Sequence, residues 1–217
     1  MTRGWFLIVP VKGTIDAKSR LGDQLSARAR SSLGLAFAYD TVVAAASSAR
    51  VARVFVVTDA DVDVDWPAAV VVVPEGERNG LNAAIERGIR AAEKAAESSP
   101  GSSPQAAGIA VLLGDLPALR APDLDAALAA AEDVDQGFVP DAEGTGTTLL
   151  TARAGLPLVP RFGAGSAAAH AGHGHARLDA GASLRRDVDV PTALDDAVAL
   201  GVGERTRAAL AAQGIRS

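Results

Sequence analysis

Trp5-Phe6-Leu7-Ile8-Val9-Pro10-Val11 is an almost unbroken apolar run. A strand wetted on one face alternates apolar with polar residues; one without alternation is buried on both faces, as in a parallel sheet covered by helices on each side. Similar runs recur at 54–58, 70–73 and 109–113, and helix-like stretches separate them at 26–46, 81–96 and 123–132. In the second of these stretches, Ile85 and Ile89 share one face. Strand alternating with helix predicts an α/β fold, a mostly parallel sheet joined by right-handed crossovers. Residues 137–140 and 147–151 read as further strands paired in part antiparallel, which makes the sheet mixed. Helices over 191–200 and 204–213 close the chain, and the Ser/Pro/Gly-rich stretch 98–104 reads as a surface excursion without function. No repeat or linker is visible, so residues 1–217 are expected to form one domain.

Composition excludes several functions. The chain has no cysteine, hence no disulfide, thiolate metal site or cysteine nucleophile. Its net charge of −5 gives no electrostatic footprint for nucleic acid, and 4% aromatic residues leave few stacking platforms. No apolar run approaches the roughly 20 residues that span a bilayer, and Met1-Thr2-Arg3 leads directly into a strand, so no membrane partner and a cytoplasmic location are expected.

The sharpest chemical signal is Val111-Leu112-Leu113-Gly114-Asp115-Leu116-Pro117. A buried strand stops at a carboxylate, and Pro117 blocks further ladder pairing. Ligands of open α/β sheets bind outside the carboxyl ends of strands, where Asp115 suits a divalent cation that carries phosphate. Farther on, Asp187-Val188-Asp189-Val190 alternates, so in a strand both carboxylates would point one way and could join Asp115 in an oxygen cage for Mg²⁺. Alternatively, one of the two pairs with Arg185 or Arg186 and the other caps the helix at Pro191.

Other segments suit anions. Pro10-Val11-Lys12-Gly13-Thr14, with Lys18 and Arg20 close behind, offers backbone amides and cations to a polyphosphate, although it is not a Walker A loop. A solvated basic loop is the plainer reading. Between Pro74 and Asn82, with Gly76 and Gly80 permitting a tight loop, Asn79 or Asn82 could read a base edge or cap the next helix. Gly144-Thr145-Gly146-Thr147-Thr148 and Arg161-Phe162-Gly163-Ala164-Gly165-Ser166 offer small residues and hydroxyls to a phosphorylated or carboxylated small molecule. His170, His173 and His175 are all the histidines present. Gly172 and Gly174 argue against a helix there, so an exposed loop is expected rather than a zinc site, although one imidazole could touch an anionic substrate.

Together these segments resemble the phosphoenolpyruvate/2-phospho-L-lactate guanylyltransferases of coenzyme F-420 biosynthesis, within the MobA-like nucleotidyltransferases. The resemblance rests on Val9-Pro10-Val11-Lys12 with Lys18 and Arg20, Gly114-Asp115-Leu116-Pro117, Gly144-Thr145-Gly146-Thr147, Pro160-Arg161-Phe162-Gly163 with Ser166, and Asp187-Val188-Asp189. It implies a GT-A-like (Rossmann-like) nucleotidyltransferase fold and transfer of GMP from GTP to a phosphorylated three-carbon acid. Asp115 and Asp187 would then be Mg²⁺ ligands, with Asp189 beside them. Lys12 and Lys18 would join Asp115 in catalysis. Pro10, Lys12, Gly13, Lys18 and Arg20 would face the GTP phosphates, and Gly80 and Asn82 the guanine. Thr147, Gly163 and Ser166 would cradle phosphoenolpyruvate or 2-phospho-L-lactate. A downstream F-420 transferase and a homodimer are further expectations.

Overall fold

The computed structural model describes residues 4–11, 26–59, 64–77, 79–97 and 106–215. The chain runs β1 (Trp5–Val11), α1 (Ala27–Ala46), β2 (Val51–Thr58), β3 (Val70–Pro74), α2 (Leu81–Glu97), β4 (Gly108–Leu112), α3 (Ala121–Ala131), β5 (Gln136–Pro140) and β6 (Thr147–Arg153). It continues through α4 (Ser166–Gly172), β7 (Ala176–Arg177), α5 (Ala182–Arg185), α6 (Pro191–Leu200) and α7 (Glu204–Ala212). The seven strands form one sheet in the order β3-β2-β1-β4-β6-β5-β7. β1, β2, β3 and β4 pair in parallel, β5 pairs in parallel with β7, and β6 runs antiparallel to both of its neighbours. The fold is therefore the expected mixed, mostly parallel α/β sheet.

β1 is buried at all seven positions because both of its faces are covered. Trp5, Leu7 and Val9 join Ala38 and Val42 of α1 and Leu124 and Leu128 of α3 on one side. Phe6 and Ile8 join Ile85 and Ile89 of α2 on the other. This is the period-2 alternation of a strand applied to two apolar faces. Pro10 is tolerated in a central strand because the β1–β4 ladder ends at Ile8–Val111, before the missing N–H would be needed there. Leu33 and Phe37 project from the far face of α1 and form a third cluster with Leu194 of α6 and Leu210 of α7.

The helix and strand boundaries fall within a few residues of those expected. The elements missing from the expectation are α4, β7 and α5, all short and lying between Gly163 and Asp187. The Ser/Pro/Gly stretch 98–104 lies outside the described residues. Among the described residues, no helix is long and apolar enough to cross a membrane.

Candidate active site

The carboxyl ends of β1, β4 and β5 and the amino end of the antiparallel β6 meet at one rim of the sheet. A cavity of about 570 Å³ opens there, within the usual range for a small-molecule site. Pro10, Asp115, Thr147, Gly163, Ser166, Asp187 and Asp189, seven of the expected site residues from five separate segments, all line it.

The turn after β4 is held from several directions. Gly114 passes close to β1, where a Cβ would lie 3.0 Å from the Pro10 carbonyl oxygen. Thr41, fully buried on α1, accepts the Leu116 N–H at 3.1 Å and donates to its own helix at Phe37. The Pro117 carbonyl accepts the Gly203 N–H, and the Asp115 carbonyl accepts the Val188 N–H at 3.0 Å. This last bond brings the 187–189 segment against the turn. Asp115, Asp187 and Asp189 offer carboxylate oxygens that lie within 4.8 Å of one another.

Asp187 and Asp189 meet Asp115 by a route other than the expected strand. They sit in the loop between α5 and α6, where buried Val188 serves as the anchor and Pro191 begins the next helix. Among the described residues, the cap of α6 and the ion pairs of Arg185 and Arg186 involve neither aspartate, although the charge of Asp187 lies close to Arg186. Val190 is the N-cap of α6 and makes no side-chain cap bond. Arg185 donates to the carbonyls of Pro140 and Asp141, while the ion pairs of Arg186 go to Glu143 and Asp196.

Burial, with the negative charges of Asp115, Asp189 and Asp141 beside it, pushes the Asp187 carboxyl up to about 7. Such a cluster favours either a proton or a cation, and its all-oxygen donor set fits a hard divalent ion. The sign of the linked stability follows. Between the ordinary carboxylate value near 4 and about 7, the folded chain holds a proton that the unfolded chain has released, so stability falls as pH rises through that window. In chelator, the melting temperature is expected to show this decline, and Asp187→Asn to flatten it. An unchanged slope in the variant would show that Asp187 is not the titrating group.

The opposite wall is built from the β5–β6 loop and the approach to α4. Asp141 is buried at the end of β5 and accepts the N–H groups of Thr145 (2.8 Å) and Gly146 (2.7 Å), which shapes the turn that delivers Thr147. Gly146 has no room for a side chain, because a Cβ would collide with the Asp141 carboxylate. The Thr145 carbonyl accepts the Ala167 N–H, joining this loop to the start of α4. Gly163 (φ 131°) and Gly165 (φ 72°) both use backbone conformations that favour glycine and turn the chain into buried Ser166. Asp141 was not foreseen, although Val139-Pro140-Asp141 repeats the signal at Asp115, a strand that ends in a carboxylate.

Asn82 does not cap α2, which begins before it, and its side-chain amide is engaged at both ends by the backbone of Phe162. Its Nδ2 donates to the Phe162 carbonyl at 3.1 Å and its Oδ1 accepts the Phe162 N–H at 2.9 Å. Gly80 (φ 89°) turns the chain into α2, and Leu81 rather than Gly80 or Asn82 lines the cavity. Lys12, Gly13, Lys18 and Arg20 lie outside the described residues.

The exposed histidine loop is corrected. His170 is fully buried on α4 and His175 nearly so, whereas His173 is exposed. Gly172 and Gly174 terminate the helix rather than prevent it, with Gly174 at φ 86° just past its end. The three do not converge as ligands, since the His173 Nδ1 pairs with the Ala169 carbonyl and the His175 Nδ1 with that of His170.

Comparison with known proteins bears on the family and the fold. The model of the family described as "Guanylyl transferase CofC like" matches residues 5–178. A phosphoenolpyruvate guanylyltransferase of Streptomyces coelicolor is 46% identical, over 95% of this chain and 96% of its own. One from Salinispora arenicola is also 46% identical, over 95% and 93%. Among solved structures, a 4-diphosphocytidyl-2C-methyl-D-erythritol synthase superposes with a TM-score of 0.59 over 92% of this chain and 99% of its own, at 14% identity. The 2-C-methyl-D-erythritol 4-phosphate cytidylyltransferase of Thermus thermophilus gives 0.52 over 92% and 98%, also at 14% identity. At such identities these two structures speak for the fold alone.

Proposed function

The chain belongs to the CofC-like guanylyl transferases, and from that membership we propose that it joins GTP to phosphoenolpyruvate with release of pyrophosphate. The observation that carries this reading is the pairing, across one cavity, of the Asp115–Asp187–Asp189 cluster with the wall formed by Thr147, Gly163 and Ser166. A cluster of carboxylates repels anionic substrates unless a cation stands between them. Asp115, Asp187 and Asp189 would hold Mg²⁺, which when bound supplies positive charge to the phosphates as negative charge builds on them.

The chain's own residues then act by position. Thr147 and Ser166 offer hydroxyls, and the glycine turn at Gly163 backbone, to the carboxylate and phosphate of the acid. Lys12, Lys18 and Arg20 are assigned to the GTP phosphates, where their charge also favours departure of pyrophosphate, and Pro10 and Gly13 are assigned to the same phosphates. A phosphate oxygen of the acid attacks the α-phosphorus of GTP in line, and the bond to pyrophosphate breaks. The nucleophile is already an anion, so the reaction needs alignment and neutralisation rather than a general base.

Phosphoenolpyruvate is preferred over 2-phospho-L-lactate because it is the acid in the names of the relatives. We assign the product to coenzyme F-420 biosynthesis in the cytoplasm, where a downstream transferase would consume it. The test is pyrophosphate release from GTP and Mg²⁺ with phosphoenolpyruvate, 2-phospho-L-lactate or 3-phosphoglycerate, with that transferase and its deazaflavin acceptor present. Release with phosphoenolpyruvate is expected. Silence with all three despite GTP binding would overturn the reading in favour of another acceptor or a nucleotide-binding regulator.

A further inference from the structure

We propose that His170 is a positioning residue of the acceptor wall: held as the neutral tautomer with its proton on Nδ1, it makes the Thr147 hydroxyl a hydrogen-bond donor towards the anionic acid. The inference rests on the acceptor site proposed above. Its evidence is a chain of donors and acceptors with only one consistent direction.

The Nε2 of His170 lies 3.1 Å from the backbone N–H of Arg161. A backbone amide can only donate, so Nε2 carries a lone pair and no proton. In a neutral imidazole the other nitrogen must then be protonated. Nδ1 lies 2.9 Å from the Thr147 Oγ1 and therefore donates to it. The imidazolium form would set a proton on Nε2 against the Arg161 N–H. Burial, with the positive charge of Arg161 and the neighbouring His175 and His173, disfavours that form and holds the His170 pKa at about 4. Phe162 packs edge-on against the ring, at 5.3 Å between centroids.

The consequence falls on Thr147. Thr147, nearly fully buried, is one of the residues that line the cavity, and its oxygen already accepts a bond from His170. Among the described residues, no protein acceptor takes its hydroxyl proton. That proton remains for a ligand oxygen in the cavity. With the opposite tautomer, Thr147 would give its proton to Nδ1 and turn only lone pairs towards an anion. The tautomer thus sets the sign of the interaction. The same ring fixes the backbone at Arg161, one residue before the Phe162 amide that Asn82 holds, so both bonds steady the approach to Gly163.

Two measurements on the full chain test this. Long-range ¹H–¹⁵N NMR of histidine-labelled protein should show His170 neutral, with its proton on Nδ1, from pH 6 to pH 8. A proton on Nε2, or an imidazolium at pH 7, would overturn the proposal whatever the substrate is. In steady-state kinetics, Thr147→Val and His170→Leu are each expected to raise the KM for the acid about 10–100-fold, with the KM for GTP changed less than about twofold. The double variant should be little worse than either single one, because both remove the same donor. Thr147→Ser should retain most of the wild-type KM, and His170→Asn, which keeps an amide donor near the Nδ1 position, should recover part of it. Additive losses, or a change confined to GTP, would overturn the proposal. Wild-type silence with every acid would overturn the functional reading instead, and the NMR result separates the two.

Discussion

Asp115→Asn is expected to lower turnover about 10²–10³-fold while leaving the melting temperature unchanged or slightly raised. The asparagine has nearly the same shape, and the backbone carbonyl that holds the Val188 N–H is untouched. What disappears is one negative charge from a group of three converging carboxylates. Asp115 is the second largest cause of the raised Asp187 pKa, after burial, so its neutralisation relieves repulsion and lets Asp187 ionise at lower pH. Loss of rate without loss of stability distinguishes a functional carboxylate from a structural one. Pyrophosphate release and calorimetry on the same preparation provide the check. Full turnover with an unchanged melt would remove Asp115 from the chemistry.

Asn82→Leu is the second large effect, and its signature lies in which substrate suffers. The substitution keeps the bulk but leaves the Phe162 N–H and carbonyl without the side-chain amide that serves both, a cost of about 1–3 kcal/mol for groups shielded from water. The 161–163 segment then loses its tether to α2. A misplacement of about 1 Å at Gly163 would reduce kcat/KM for the acid by up to about 10²-fold. The KM for GTP should hardly move. If Asn82 instead read the guanine, the loss would fall on GTP and spare the acid, so one pair of KM values decides between the two roles.

These two residues also mark how far the sequence could be read. Asp115 was legible because its signal is local, an apolar run stopped by Gly-Asp-Leu-Pro on a sheet whose functional edge is fixed by topology. Asp187 and Asp189 were legible as chemistry but not as geometry. Alternation with valines suggested a strand, whereas burial of Val188 in a loop performs the same convergence. Asn82 suggested a base contact or a helix cap, yet its partner in the fold lies 80 residues away, beyond what local pattern can show. His170 was hidden by its glycines, which signal a break without saying whether a helix is absent or merely ending. Thr41 carried no signal at all, because a threonine inside an apolar helix looks like filler until the turn it supports is in view.

The reversed strand has a consequence for how such an enzyme can diversify. β5, the 141–146 turn and β6 form one contiguous hairpin, joined to β4 by an antiparallel edge and with no crossover between its own strands. On the proposed assignment, the nucleotide is served by the parallel half of the sheet and the acid largely by this hairpin and the segment after it. Replacing a parallel strand means rebuilding its crossover helix; replacing a hairpin means exchanging one short cassette. New acceptors can therefore be acquired piecemeal beside an unaltered nucleotide grip.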